Sequence, residues 1–257
     1  MLILELLKGL LILGLIFIPL EQLFYLHRQR IFRPGWLTDL TYFFIGHFVG
    51  KVGLSLSLGI GTILVTPLLH LKWQETISAQ PILFQLIEAI VIADLGYYLA
   101  HRLLHTVPEL WKFHAVHHSI ESIDWLATVR VHPVDQIFTK FFQVIPLVIL
   151  GFSAETWGIY TLFSALVAFY IHANIRLKIA GLKWVIATPQ FHHWHHIQEA
   201  EMETRNLAAQ LPLIDWLFGT LYFSQSKIPN SYGIKQSIPR GYLGQLIYPF
   251  RRYDYES

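Results

Sequence analysis

The segment ILFQLIEAIVIADLGYYLA, residues 82–100, runs without a break into HRLLH, residues 101–105. A helix crosses a hydrocarbon core with about 20 mostly apolar residues, so the first part reads as a membrane span. The second part then stands at the end of that span. Its two histidines are separated by one helical turn and share a face. The fold is read outward from this junction of apolar helix and imidazole.

The composition agrees with a membrane protein. Apolar residues make up 54% of the 257-residue chain and charged residues 14%, and the mean hydropathy is +0.45, outside the balance of soluble domains. A formal charge of +2 gives no reason to expect an acidic polymer or nucleic acid as partner. There is no cysteine, which excludes disulfides, iron–sulfur clusters, thiolate zinc sites and a cysteine nucleophile. Metal chemistry in this chain has to use nitrogen and oxygen.

Other apolar runs set the topology. Residues 2–20 read as a retained anchor, because the run is long and lacks a small-residue cleavage site. HRQRIFRPG follows with Arg28, Arg30 and Arg33 and is cytoplasmic by the positive-inside rule. A run over 38–69 crosses outward, its Gly50, Gly53, Gly59 and Gly61 allowing close packing or a bend. HLKWQETISAQP is the outer loop, and 82–100 returns. Residues 137–172 form a helical hairpin turning at GFSAE, with arms short for a full crossing. From Arg176 the chain is more polar, and RRY at 251–253 again reads cytoplasmic. The expected fold is all-α and multi-pass: about three full spans, the hairpin and a cytoplasmic histidine-rich helical cap. The expected divisions are anchor spans over 1–93, a catalytic region over 94–220 and a C-terminal tail over 221–257.

Nine of the 14 histidines fall into three groups: His101 and His105; His114, His117 and His118; and His192, His193, His195 and His196. Positions i, i+3 and i+4 share a helical face, so eight imidazoles lie on three faces able to converge, with His193 off the common face. Imidazole binds iron, zinc, copper or nickel, and eight donors are more than one ion takes, which suggests two. Unpartnered, so many imidazoles beside a membrane would be costly. Isolated His27, His47 and His70 read as polar interfacial residues. HRLLH lacks the glutamate of a zincin, Arg102 standing there. A bis-histidine haem has no use for adjacent doublets, and the carboxylate set of soluble di-iron bundles is missing.

HRLLH, then FHAVHHS, TPQFHHWHH and NLAAQLPLIDWLFGT, together resemble the fatty acid hydroxylase superfamily, which includes sterol desaturases and lipid hydroxylases. The resemblance covers roughly Asp94 to Thr220. It implies a membrane-embedded non-haem di-iron oxygenase that hydroxylates or desaturates a sterol or fatty-acyl lipid with O2 and two electrons. The ligands it implies are His101, His105, His114, His117, His118, His192, His195 and His196, with His172 of YIHANI as a further one. Zinc is a plausible substitute in purified protein. Around the ligands, Asp94 either accepts the second N–H of a ligand imidazole or pairs with a basic residue such as Arg102. Asn206 is expected to contact a ligand imidazole, and His132 to be a supporting donor or a helix-boundary residue. Thr188 and Pro189 start the last histidine helix, Glu199, Glu201 and Glu203 form a solvated acidic surface, and Trp111, Trp125 and Trp194 suit an interfacial belt. The sequence has no cytochrome b5 motif and no dinucleotide fingerprint, so electrons come from a separate cytochrome b5, ferredoxin or reductase. Two other classes fit the histidines: a transition-metal transporter and a non-catalytic zinc-bound scaffold.

Overall fold

Five helices are long and apolar enough to cross a membrane: α1 (Leu2–Leu23), α2 (Trp36–Val65), α4 (Ile82–Thr106), α6 (Pro133–Leu150) and α7 (Ala154–His172). Shorter helices join or cap them: α3 (Leu71–Ser78), α5 (Pro108–His118), α8 (Leu182–Val185), α9 (Pro189–His195), α10 (Pro212–Leu217) and α11 (Tyr242–Ile247). The computed structural model describes residues 2–66, 71–176, 181–199, 202, 204–224, 228–229 and 231–251. His70, Glu201, Glu203, Arg252 and Tyr253 lie outside the described residues. Among the described residues there is no strand, only isolated bridges between Tyr25 and Ile175 and between Ile197 and Tyr232.

The hairpin arms are longer than the sequence reading allowed. The N-terminal arm begins at Pro133 because His132 caps it, its Nδ1 accepting the Val134 N–H at 3.1 Å, and Pro at N1 lacks the N–H that would be orphaned there. It ends at Gly151, whose φ of 74° is open to glycine at little cost. Ser153 then caps α7. Helices of 18 and 19 residues reach about 27 Å at 1.5 Å per residue, close to a ~30 Å core. Each arm therefore counts as a candidate span in its own right.

Helices α2, α6, α4 and α7 lie side by side in that order. Small residues permit the approach: a Cβ on Gly53 would lie 2.8 Å from Ile137 Cγ1, and one on Gly96 would collide with the Phe142 carbonyl oxygen. Gly50, Gly53 and Gly61 of α2 thus serve packing on α6, whereas Gly59 meets nothing among the described residues. Helix α1 joins through Phe17, stacked on Trp125 at 6.2 Å and near Phe169 at 6.3 Å. The outward residues are greasy, with Leu11, Ile63, Leu83 and Leu162 all more than 60% exposed, as lipid-facing positions should be.

All five long helices bring one end to the same place. There Glu21 of α1 accepts the Trp125 and Asn174 N–H groups. Asp39, in the first turn of α2, pairs with Arg33 and Arg130, and Arg33 also pairs with Asp124. Arg33 is only 4% exposed, so its charge is neutralised inside the fold and it is no free loop charge. Trp125 and Trp194 are likewise buried and form no belt. At the opposite end α3 occupies the expected outer loop, Gln74 Nε2 donating to the Val148 and Ile149 carbonyls.

Candidate metal centre

The last turn of α4 supplies His101 and His105, and Pro108 starts α5 almost at once, so His114, His117 and His118 fold back over them. Helix α7 ends at His172. Helix α9 starts where expected, the Thr188 hydroxyl accepting the Phe191 N–H and Pro189 at N1, and its 192–196 turn faces the other groups.

The imidazoles separate into two clusters. His101, His105, His114, His118 and His195 form one, and His117, His172, His192 and His196 the other, the candidate nitrogens in each lying within 4.8 Å of one another. In the first, Nε2–Nε2 separations are 2.9 Å for His101–His114, 3.3 Å for His101–His105 and 3.2 Å for His114–His118. In the second they are 3.2 Å for His117–His172 and 3.0 Å for His172–His192 and His192–His196. Metal–imidazole bonds of about 2.0–2.1 Å place neighbouring donors roughly 3.0–3.4 Å apart around one ion. The spacing therefore fits two ions bound side by side. His118 and His196 rings stack at 4.5 Å and join the clusters.

Hydrogen bonds from the far side of the rings select the ligating tautomer. Nδ1–H donates to the Leu207 carbonyl from His101 (2.6 Å), to the Asp135 carboxylate from His114 (2.8 Å) and to the Arg130 carbonyl from His117 (3.0 Å). His172 donates to the Ala168 carbonyl (2.9 Å) and His195 to the Arg205 carbonyl (2.8 Å). Each of these five keeps its Nε2 lone pair for the cluster. The His195 Nε2 is buried without a hydrogen-bond partner among the described residues, as a ligand atom should be. The Nδ1 atoms of His105, His192 and His196 are also buried and have no partner among the described residues, so no hydrogen bond there fixes their tautomer.

Burial keeps the cluster bases neutral. It lowers His114 from 6.5 to about 3, so its contact with Asp135 is a neutral N–H donating to a carboxylate rather than an ion pair. Burial first, and then His114, lower His117 to about 4. Burial followed by neighbouring imidazoles pushes His118, His192, His195 and His196 well below the usual histidine range. Neutral imidazole is the form that binds a metal.

The expected supporting residues are placed differently. Asp94 is fully buried and accepts the N–H groups of Ala209, Gln210 and Leu211; neither an imidazole nor Arg102 is its partner. Asn206 bonds the Phe191 and Tyr222 carbonyls and the Tyr222 N–H. Its φ of 55° turns the chain so that the carbonyls on either side, Arg205 and Leu207, receive His195 and His101. Asp215 accepts the N–H groups of Leu207 and Ala208, so two carboxylates hold the 207–211 loop. His132 is the α6 cap and reaches Leu246 O at 3.1 Å. His193 stays out of both clusters, bonding Tyr232 OH at 2.8 Å, which also meets His27. Trp111, expected at the interface, packs against the His105 and His118 rings at 5.2 and 5.4 Å. Asp135 is the contact that the sequence reading missed: in HPVD it reads as an ordinary acidic first-turn residue.

Comparison with known proteins finds relatives by sequence. Residues 86–220 match the family described as Fatty acid hydroxylase. Ornithine lipid hydroxylase OlsE of Rhizobium tropici is 30% identical over 201 residues, 78% of this chain and 60% of that protein. Alkylglycerol monooxygenase of Homo sapiens is 31% identical over 150 residues, 58% of this chain and 33% of that protein. Methylsterol monooxygenase 2-2 of Arabidopsis thaliana is 24% identical over 151 residues, 58% of this chain and 54% of that protein. The chain thus spans a third to three fifths of the length of these relatives. No solved structure matches it.

Proposed function

Because the chain belongs to the fatty acid hydroxylase family, we propose that it is a membrane-bound oxygenase that holds two iron ions and hydroxylates or desaturates a lipid C–H bond with O2 and two electrons. The observation that carries this reading is the division of nine imidazoles, eight buried and His105 half-buried, into clusters of five and four at one end of the bundle. A path for ion passage would distribute ligands along the spans, so the arrangement favours a resident centre over a transporter.

The proposed ligands are His101, His105, His114, His118 and His195 for one ion and His117, His172, His192 and His196 for the other. Bound iron supplies O2 activation, which side-chain acid–base chemistry lacks. The protein orients and shields. Asp135 and the carbonyls of Arg130, Ala168, Arg205 and Leu207 keep protons on Nδ1 and aim Nε2 inward. Trp111 covers the His105 and His118 rings and excludes water from that side. The lipid approaches from the bilayer between the apolar helices. The remaining loop charges, including Arg28 and Arg30, favour a cytoplasmic position for the histidine end, where a separate cytochrome b5, ferredoxin or reductase delivers electrons.

Metal analysis and iron spectroscopy on anaerobically purified protein test the reading, with a His195→Ala/His196→Ala variant beside it. The expected result is about two irons per chain, oxidised on admitting O2 and lost in the variant. After iron reconstitution, a lipid screen should then yield an oxidised product. Iron content that the variant leaves unchanged, or reconstituted protein inert to O2 and lipids, would overturn it.

A further inference from the structure

Helix α6 carries a polar group that the metal ligation does not use. Lys140 lies within this span and its Nζ donates to Gln143 Oε1 at 3.1 Å. Among the described residues no carboxylate lies within ion-pair distance of it.

Its direction follows from the helix. Val134 and Ile149, each 39% exposed, mark the outward face, whereas Asp135, Thr139, Gln143, Val144 and Leu147 are buried. At 3.6 residues per turn Lys140 falls between Gln136 and Val144, on the inward side. It begins about 7.5 Å along the axis from Asp135, and long helical side chains lean towards the N-terminus, here the histidine end. Across the contact between Gly96 and Phe142, helix α4 places Tyr97 one turn before His101, with ring centroids 5.1 Å apart. The Tyr97 hydroxyl has no hydrogen-bond partner among the described residues. Helix α6 thus carries an ammonium with only a neutral amide for company, two turns from Asp135, and the adjoining helix α4 carries a phenol beside His101 of the five-histidine cluster.

An ammonium held in a span is costly unless an anion or water meets it. Snorkelling to the head-group layer is the usual relief, but Lys140 points inward and is held by Gln143. An anionic oxygen brought by a ligand supplies the missing partner, and Tyr97 O–H and the Gln143 amide are further donors for it.

We propose that Lys140, Gln143 and Tyr97 seat the anionic group, carboxylate or phosphate, of an amphipathic lipid, so that carbons close to that group lie at the five-histidine cluster. This deepens the oxygenase reading by naming a substrate class, and only the consequence for oxidation rests on that reading. The site of attack is then near the head group and not at the chain terminus.

Equilibrium binding to the purified holoprotein in neutral detergent tests the seat, with oleate, 1-oleoyl lysophosphatidate and oleyl alcohol as probes. A charge-assisted contact gives about tenfold or more, so at least one anionic probe should bind that much more tightly than the alcohol. Which one does so distinguishes carboxylate from phosphate. Lys140→Met should abolish the preference while leaving alcohol binding and metal content unchanged, and Lys140→Arg should retain it. If Lys140→Met loses its metal, Lys140→Gln, uncharged and polar, carries the same comparison. Indifference of the wild type to probe charge, or a preference that survives loss of the cation, overturns the proposal. Since binding needs no turnover, a charge preference in protein inert to O2 would refute the oxygenase and keep the seat. O2-reactive iron with no preference would do the reverse.

Discussion

Replacing Asp135 separates the two metal positions. Its Oδ2 receives the His114 Nδ1–H at 2.8 Å, with both side chains at most 3% exposed. A hydrogen bond to a charged partner contributes about 1.5–3 kcal/mol, roughly twice a neutral one. Asp135→Asn keeps a neutral acceptor and forfeits about 1 kcal/mol, while Asp135→Ala forfeits about 2 kcal/mol. At tenfold per 1.4 kcal/mol these correspond to about 5-fold and 30-fold weaker metal binding, comparable with the 10–100-fold effects known for groups that orient metal-bound histidines. The loss should be confined to the ion held by His101, His105, His114, His118 and His195, because Asp135 bonds none of His117, His172, His192 and His196. Chelator titration of the metal-loaded protein, with release followed spectroscopically, should show one step shifted and the other in place. Two steps moving together, or neither moving, would refute the assignment of Asp135 to one cluster.

Asp39→Asn leaves Arg33 and Arg130 buried with only Asp124 as counter-charge, which should cost about 3–5 kcal/mol and appear as a large fall in the thermal unfolding temperature. Gly96→Ala drives a methyl onto the Phe142 carbonyl and should cost about 1–3 kcal/mol, whereas Gly59→Ala, with nothing within 4 Å, should be neutral or stabilising by a few tenths; melting the two side by side checks both. Burial lowers His114 to about 3 and His193 to about 4 from 6.5. Below 6.5 these groups therefore bind more protons in the unfolded chain than in the folded one, and they should make metal-free protein lose stability as pH falls through 6.5 towards 4. Melts of chelator-treated protein that are flat across this window would contradict the buried neutral state.

The parts legible in the sequence are those written in local periodicity. Apolar runs located the long helices, and i, i+3, i+4 spacing picked out His101, His105, His114, His117, His118, His192, His195 and His196. What local pattern lacks is partition. His117 and His118 are neighbours in sequence yet serve different clusters, which depends on where α7 and α9 dock. Likewise Asp94 stood out as an acidic residue in an apolar span and Asn206 through the family resemblance, but their partners are backbone groups more than a dozen residues away, and side-chain chemistry does not announce a backbone partner. Arg33 read as a topology charge because its two carboxylates, Asp39 and Asp124, are contributed by other segments. Trp125 and Trp194 were misread for the same reason: whether a tryptophan meets lipid or core is a tertiary fact.

The left-handed residue Asn206, with a carbonyl aimed at an imidazole from each side, has a consequence for biogenesis. His101 leaves the ribosome about a hundred residues before the loop that orients it. Until that loop docks on Asp94 and Asp215, His101 lacks the carbonyl that sets its tautomer, and the imidazoles of α4 and α5 lack their distant partner His195, which the Arg205 carbonyl orients. On the proposed two-ion reading, loading is then a late event in the life of the chain, following synthesis of the C-terminal cap. Once loaded, the ions fasten the early helices to the late ones, and cells starved of metal should accumulate a fully inserted chain whose cap is open to proteases.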